Sequence, residues 1–291
     1  MNSNTKSRLL LFFIGIPLFV LSVFFLPHAH YAVLAVLIIG IQYLSSVEFR
    51  SLMTRAGLRD PGPSTTFAGI VQNSAVYAAC LLEIKEPDPV ILFFLLSMLL
   101  LLLELAPLAF SRKEEFPHLF KDSAAIVLLH VYTTVLPGFL MLIVSYFPDA
   151  KSAVLAFTIM TFGNDSLAWL AGVTLGKRRN IVDVSPNKSI AGFIGGTAGS
   201  IAGAFLALGP LTGCWNSAGG SYVLLSILLG LGMSFFVITG DLFESALKRA
   251  AGAKDSGVLI PGRGGMLDSF DSLFFSAPYF AAFALIVRLF F

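Results

Sequence analysis

The chain is short of the residues that keep proteins soluble. Only 12% of its 291 residues are Asp, Glu, Lys or Arg, about half the share found in an ordinary soluble domain. That scarcity excludes a soluble globule, a disordered chain and a nucleic-acid binder with a broad basic face. Cys80 and Cys214 are its only cysteines, too few for a disulfide framework or a cysteine-based metal site. Four histidines, His28, His30, His118 and His130, form no ligand spacing. Internal repeats are absent too. What the chain has instead is apolar surface: 56% hydrophobic residues, 28 of them Phe, and a mean hydropathy of +0.85. The balance is that of an all-α polytopic membrane protein.

A spanning helix needs about 20 mostly apolar residues. Nine runs qualify, at about 9–26, 31–47, 65–83, 89–110, 123–147, 151–176, 191–211, 220–246 and 272–290. With the N-terminus cytoplasmic, sixteen of the 19 Lys and Arg fall on the inside and three outside. The positive-inside rule demands such a bias, so the C-terminus is expected outside. The run at 9–26 follows Lys6 and Arg8 and is read as a retained first helix rather than a cleaved signal. The chain is expected to form one membrane-embedded domain. Residues 1–122 supply scaffold helices, mainly apolar, and 123–291 carry the chemistry. The longer inside loops, about 177–190 and 247–271, mix charge with Gly, Pro and Ser.

Ionisable groups inside hydrocarbon are costly and mark sites by default. Asp165, beside Asn164, lies within the sixth run, and Asp241 lies near the inner end of the eighth. Glu104, alone on a Leu-rich helix, reads as a carboxylate hydrogen-bonded across a helix interface. Asp241, Glu244 or Ser245, and Lys248 share one helical face. That arrangement suits a phosphate-and-metal site; equally, Lys248 and Arg249 suit an ordinary helix C-terminus. Downstream come Lys254-Asp255, then Pro261-Gly262-Arg263-Gly264-Gly265, then Asp268 and Asp271. The glycines let backbone N–H groups approach a ligand, and the carboxylates suit Mg²⁺. In the other inside loop, Ser185 reads as an N-cap with Pro186 at the first helical position, so that Lys188 sits at an anion-binding helix start. Gly192, Gly195, Gly196, Gly199 and Gly203 read as a close-packing face. Gly172–Lys177 has neither the spacing nor the following Ser or Thr of a P-loop.

These segments together resemble the phosphatidate cytidylyltransferases. That family's signature runs through Gly-Asp-Leu-Phe-Glu-Ser, Lys-Arg, Lys-Asp, Pro-Gly-His-Gly-Gly and Asp-Arg-x-Asp. Here the matching residues are Gly240 to Ser245, Lys248-Arg249, Lys254-Asp255, Pro261-Gly262, Gly264-Gly265, Asp268 and Asp271. Upstream, Asn164-Asp165 and Ser185 to Gly192 are similar to two further family segments. Arg263 stands where the family has His, Ser269 where it has Arg, and Ile190-Ala191 where it has Trp-Glu.

The resemblance implies transfer of CMP from CTP to phosphatidate, giving CDP-diacylglycerol and pyrophosphate at the cytoplasmic face of a bacterial plasma membrane. It implies Asp241 and Asp268 as ligands of Mg²⁺, with a second, monovalent cation also conceivable. Lys248, Arg249, Lys254, Asp255 and Asp271 become the catalytic set. Asn164, Asp165, Ser185, Lys188, Arg263, Gly264 and Gly265 become the substrate-binding set. CTP, phosphatidate and membrane lipid are the expected partners, with a homodimer conceivable and no nucleic acid. The Asp268→Asn variant is expected to fold and not to turn over. Three other readings compete: a CTP-dependent lipid kinase, a divergent or inactive paralogue, and an ion-coupled transporter. The last should show broken helices or inverted repeats, and neither is visible.

Overall fold

The computed structural model describes residues 16–84, 86, 88–147, 149–211, 221–260 and 264–290. Among these the chain is helical, with no named strand. Ten α-helices follow one another: α1 (Ile16–Phe25), α2 (His28–Arg55), α3 (Ser64–Leu81), α4 (Pro89–Leu105), α5 (Leu119–His130), α6 (Leu136–Ser145), α7 (Ala150–Thr174), α8 (Ile190–Leu206), α9 (Tyr222–Ala250) and α10 (Leu267–Phe290). A π-helical turn, Val131–Val135, joins α5 to α6.

Seven segments among the described residues are long and apolar enough to cross a membrane. They match seven of the nine expected runs. Of the other two, the run at 9–26 lies partly outside the described residues. The run at 65–83 forms α3, but Thr65, Thr66, Gln72 and Asn73 make it too polar to join the seven. Large apolar side chains point outward along the helices: on α4, Phe94, Leu99, Leu102 and Leu103 are each more than half exposed. A surface of this kind is tolerable only against lipid or another protein.

The chain divides into two compact units. The first holds residues 1–146 and 247–270; the second holds 147–246 and 271–291. The loop 247–270 belongs with the N-terminal helices.

The first unit is less apolar inside than its sequence suggests. Gln42, Ser45, Thr65, Gln72, Asn73, Glu104, His130 and Thr134 are all buried, and each carries at least one side-chain atom with no hydrogen-bond partner in the protein. The scaffold expected to be mainly apolar thus also buries a set of polar side chains. Such residues are spread over α2, α3, α4, α5 and the π-turn, and only packing collects them. Glu104 pairs across a helix interface as expected, but with a histidine where Ser or Thr was expected: Oε2 lies 3.0 Å from His130 Nδ1 across the α4–α5 interface.

In the second unit α7 and α8 pack backbone to backbone. A Cβ at Gly199 would collide with the Gly163 carbonyl, one at Gly195 would sit 2.6 Å from Leu167 O, and one at Gly203 3.0 Å from Met160 Cα. The glycine face is thus a packing device, as its spacing implied. Asn164 secures the same interface. Its Nδ2 donates to Ser200 Oγ and Ser234 Oγ, both at 3.0 Å, tying α7 to α8 and α9.

Candidate functional site

In the second unit, the end of α7, the start of α8 and the inner part of α9 enclose a cavity of about 390 Å³. Asp165 and Asp241 line it, and so do Arg179, Lys188 and Trp169. Two carboxylates and two cations therefore share one half-open space. Lys188 Nζ forms an ion pair with Asp241 Oδ2, the side chains being 24% and 38% exposed. The same ammonium lies 5.8 Å from the centre of the Phe193 ring. Asp165 is exposed, Asn164 is buried at the cavity wall with its amide nitrogen committed to the two serines, and Trp169 is 69% exposed.

The start of α8 supplies the cavity's other electropositive feature. Its N-cap is Ser189, whose Oγ accepts from Gly192 N at 3.1 Å. The expectation that Ser185 caps the helix is corrected: Ser185 O accepts from Lys188 N at 3.1 Å, so residues 185–188 form a tight turn before the helix. Proline at position two of a turn and proline at the first helical position give the same local signal. Lys188, Ser189 and Gly192 all line the cavity, so the positive end of the α8 dipole borders it.

In the first unit, the loop after α9 folds around two carboxylates. Asp268, near the start of α10, accepts four hydrogen bonds. Oδ2 takes Gly265 N at 2.7 Å and both the N and Oγ of Ser256 at 2.8 Å; Oδ1 takes Lys248 Nζ at 2.5 Å. The Asp268 side chain is 5% exposed and that of Lys248 11%. Glu48, on α2, completes the cluster. Its carboxylate accepts Met266 N at 3.0 Å, Leu267 N at 2.8 Å and Ser256 Oγ at 3.2 Å. Those N–H groups belong to the N-terminal end of α10, where the helix itself supplies no acceptor.

The glycines here serve the chain itself. Gly264 has φ +107°, a left-handed conformation that favours glycine, and a Cβ there would lie 2.5 Å from Asp268 Oδ2. At Gly265 a Cβ would collide with Ser256 Oγ and Glu48. The expectation that Gly264 and Gly265 offer backbone donors to substrate is corrected: Gly264 N donates to Ile260 O and Gly265 N to Asp268. Arg249 donates to Ala253 O at 3.1 Å and closes its own helix end, which is the plainer of the two readings open for it. Lys254 and Asp255 are exposed, and Asp271 is buried, accepting Ser272 N through Oδ1. Arg263 lies outside the described residues.

Glu48 and Arg179 escaped the sequence-based site. Glu48 falls one residue beyond the second apolar run, where a lone acid at a helix end passes for solvated charge. Its signal was that it sits on a membrane helix at the level of the loops. Arg179, in Lys177-Arg178-Arg179, reads in the sequence either as topology-setting charge or as positive potential beside the Lys188 anion site.

The donor sets can be tested for a divalent cation. Among the described residues, no three His, Cys, Asp or Glu side chains gather closely enough to hold a metal alone. Asp241 and Asp165 fit the role that Mg²⁺ asks of a protein, one or two carboxylates supplemented by water and substrate phosphates. Asp268 fits it less well, because every hydrogen bond it accepts would compete with a metal.

The family profile described as "Cytidylyltransferase family" matches residues 6–287. The chain is 40% identical over 135 residues to a phosphatidate cytidylyltransferase of Synechocystis, covering 45% of this chain and 44% of that protein. It is 41% identical over 121 residues to a phosphatidate cytidylyltransferase of Bacillus subtilis, covering 42% and 43%. It is also 41% identical over 130 residues to the uncharacterized protein YnbB of Escherichia coli, covering 45% and 41%. The matched stretch thus spans less than half the length of each of these relatives.

Proposed function

The chain belongs to the cytidylyltransferase family, and from that premise we propose that it transfers CMP from CTP to phosphatidate. A phosphate oxygen of phosphatidate attacks the α-phosphorus of CTP. The bond from that phosphorus to the bridging oxygen breaks, and pyrophosphate leaves with the electron pair. CDP-diacylglycerol is the lipid product. Both substrates are anions and the acceptor is already ionised, so positioning and charge compensation matter more than proton transfer.

The cavity of the second unit supports this reading, being the observation that carries it: cations, carboxylates and a helix N-terminus in one space. In our reading Lys188, Arg179 and the first turn of α8 hold CTP phosphates, and Trp169 offers an aromatic surface to cytosine. Asp241 and Asp165 would hold Mg²⁺, which neutralises phosphate charge when bound. Lys188 then exchanges its pairing with Asp241 for a phosphate. Asp268 and Glu48 position the 248–268 loop, and through it Lys248. The membrane topology that accompanies this function is nine spans, with the N-terminus and the cavity on the cytoplasmic side of a bacterial inner membrane.

The test uses detergent-purified full chain with Mg²⁺, labelled CTP and phosphatidate. Equal amounts of pyrophosphate and CMP-lipid, both lost on chelation, are expected. CDP in place of pyrophosphate would make the protein a lipid kinase and overturn the reading. A second reading, a different phospholipid acceptor, rests on Ile190-Ala191, Arg263 and Ser269 standing where the family signature has other residues. It predicts pyrophosphate release with some other lipid phosphate and none with phosphatidate.

A further inference from the structure

The first unit holds a cavity of about 570 Å³ that the proposed reaction does not use. Its volume falls within the roughly 300–1,000 Å³ of small-molecule sites. Phe67 and Val71 of α3 and Leu100 and Leu103 of α4 give it apolar walls. Its charged lining is one-sided: Arg59 against Asp60, Glu104, Glu115 and Asp122. Arg50 holds Asp60 through two hydrogen bonds of 2.6 and 2.7 Å. Arg59 lies 3.2 Å from Glu115 and 4.0 Å from Asp122. Once those two arginines are matched, two carboxylate charges remain, before any proton on His130 is counted.

One of these is Glu104, whose side chain is 5% exposed. Its Oε2 meets His130 Nδ1, but its Oε1 has no hydrogen-bond partner in the protein, and neither does His130 Nε2. A buried carboxylate oxygen at a cavity wall calls for a donor. Directly after His130 the helix widens into the π-turn, a distortion that gathers at functional sites.

We propose that this cavity binds an aliphatic diamine. One ammonium donates to Glu104 Oε1, the methylene chain lies against Phe67, Val71 and Leu103, and the other ammonium faces Glu115 and Asp122. Apolar walls between two acidic ends match such a ligand in both charge and polarity, and a monoamine or a diol satisfies only part of it.

The test is calorimetric titration of the purified full chain with 1,8-diaminooctane, octylamine and 1,8-octanediol. The diamine is expected to bind at least about tenfold more tightly than octylamine, with the diol not binding. The Glu104→Gln variant should lose about tenfold in diamine affinity. Because that change touches a buried pair, Val71→Trp serves as the second variant. Val71 is 52% exposed, so the larger ring enters the cavity while the Glu104–His130 pair is left in place, and binding should vanish with melting unchanged. Equal binding of diamine and octylamine, diamine binding that survives both variants, or no diamine binding at all would each overturn the proposal. CMP transfer is not read in this test, so its outcome is separate from that of the proposed reaction.

Discussion

Each unit of this protein contains a lysine–aspartate pair, and the two pairs have different surroundings. Lys188–Asp241 borders a cavity, keeps 24% and 38% of its side-chain surfaces open, and shares that space with Arg179 and Asp165. Lys248–Asp268 is closed: Asp268 is 5% exposed and accepts three further hydrogen bonds from Ser256 and Gly265. The same residue types thus make a half-open pair in one unit and a closed cluster in the other. What separates them is the number of donors that the chain itself brings to the carboxylate.

The sharpest way to break this contrast is to remove the closed carboxylate. Asp268→Asn leaves Lys248 without its counter-ion and puts an NH2 donor where one accepting oxygen was, against either Lys248 or the three donors of Ser256 and Gly265. A loss of about 3 kcal/mol is expected, visible as a clearly lowered melting temperature in detergent. The sequence alone pointed to a folded but inactive variant; the saturated carboxylate makes instability the expected result. A melting temperature equal to that of the wild type would show that the cluster is not structural.

Glu48→Ala should follow, at about 2 kcal/mol, since it strips the acceptor from Met266 N and Leu267 N at the start of α10. Limited proteolysis should then cut more readily between 251 and 266. Unchanged cleavage would remove Glu48 from the cluster.

The smallest effect is expected at an exposed pair. Arg50 holds the Asp60 carboxyl below the usual carboxylate range, chiefly by hydrogen bonding, with Gly62 N adding to it. A group whose folded pKa is depressed stabilises the fold above its unfolded pKa, and that contribution fades as pH falls through the folded value. The Arg50→Gln variant should therefore differ in melting temperature from the wild type at pH 6, by about 2 °C at most for so exposed a pair. The gap should shrink as pH falls through the folded value of Asp60. A gap that does not change with pH would mean that Arg50 acts through something other than Asp60.

Much of the architecture was legible because lipid imposes a simple code. Apolar runs became helices, and the glycine face of α8 met α7 as its spacing required. Asp241 and Lys188 were identified one by one from cost and position, but their pairing was not, since they lie on different segments and only the folded loop 175–189 brings them together. Ser185 misled because turn and helix start share Ser-Pro. Gly264 and Gly265 were read as open donors because nothing in their neighbourhood announces that Glu48 and Asp268 consume the N–H groups around them. The buried polar residues of the first unit were invisible for a related reason: Gln42 stands between apolar neighbours and Gln72-Asn73 is one short polar step in α3, and neither leaves a periodic trace.

The central claim is that the cavity lined by Asp241, rather than the Asp268 cluster, is where ligand chemistry occurs. The most direct measurement is CMP transfer into lipid by the Asp241→Asn variant, beside its melting temperature. The account predicts melting within about 2 °C of the wild type, since Asp241 is 38% exposed, with transfer reduced by at least about a hundredfold. Transfer retained at the wild-type rate by a folded variant would contradict it.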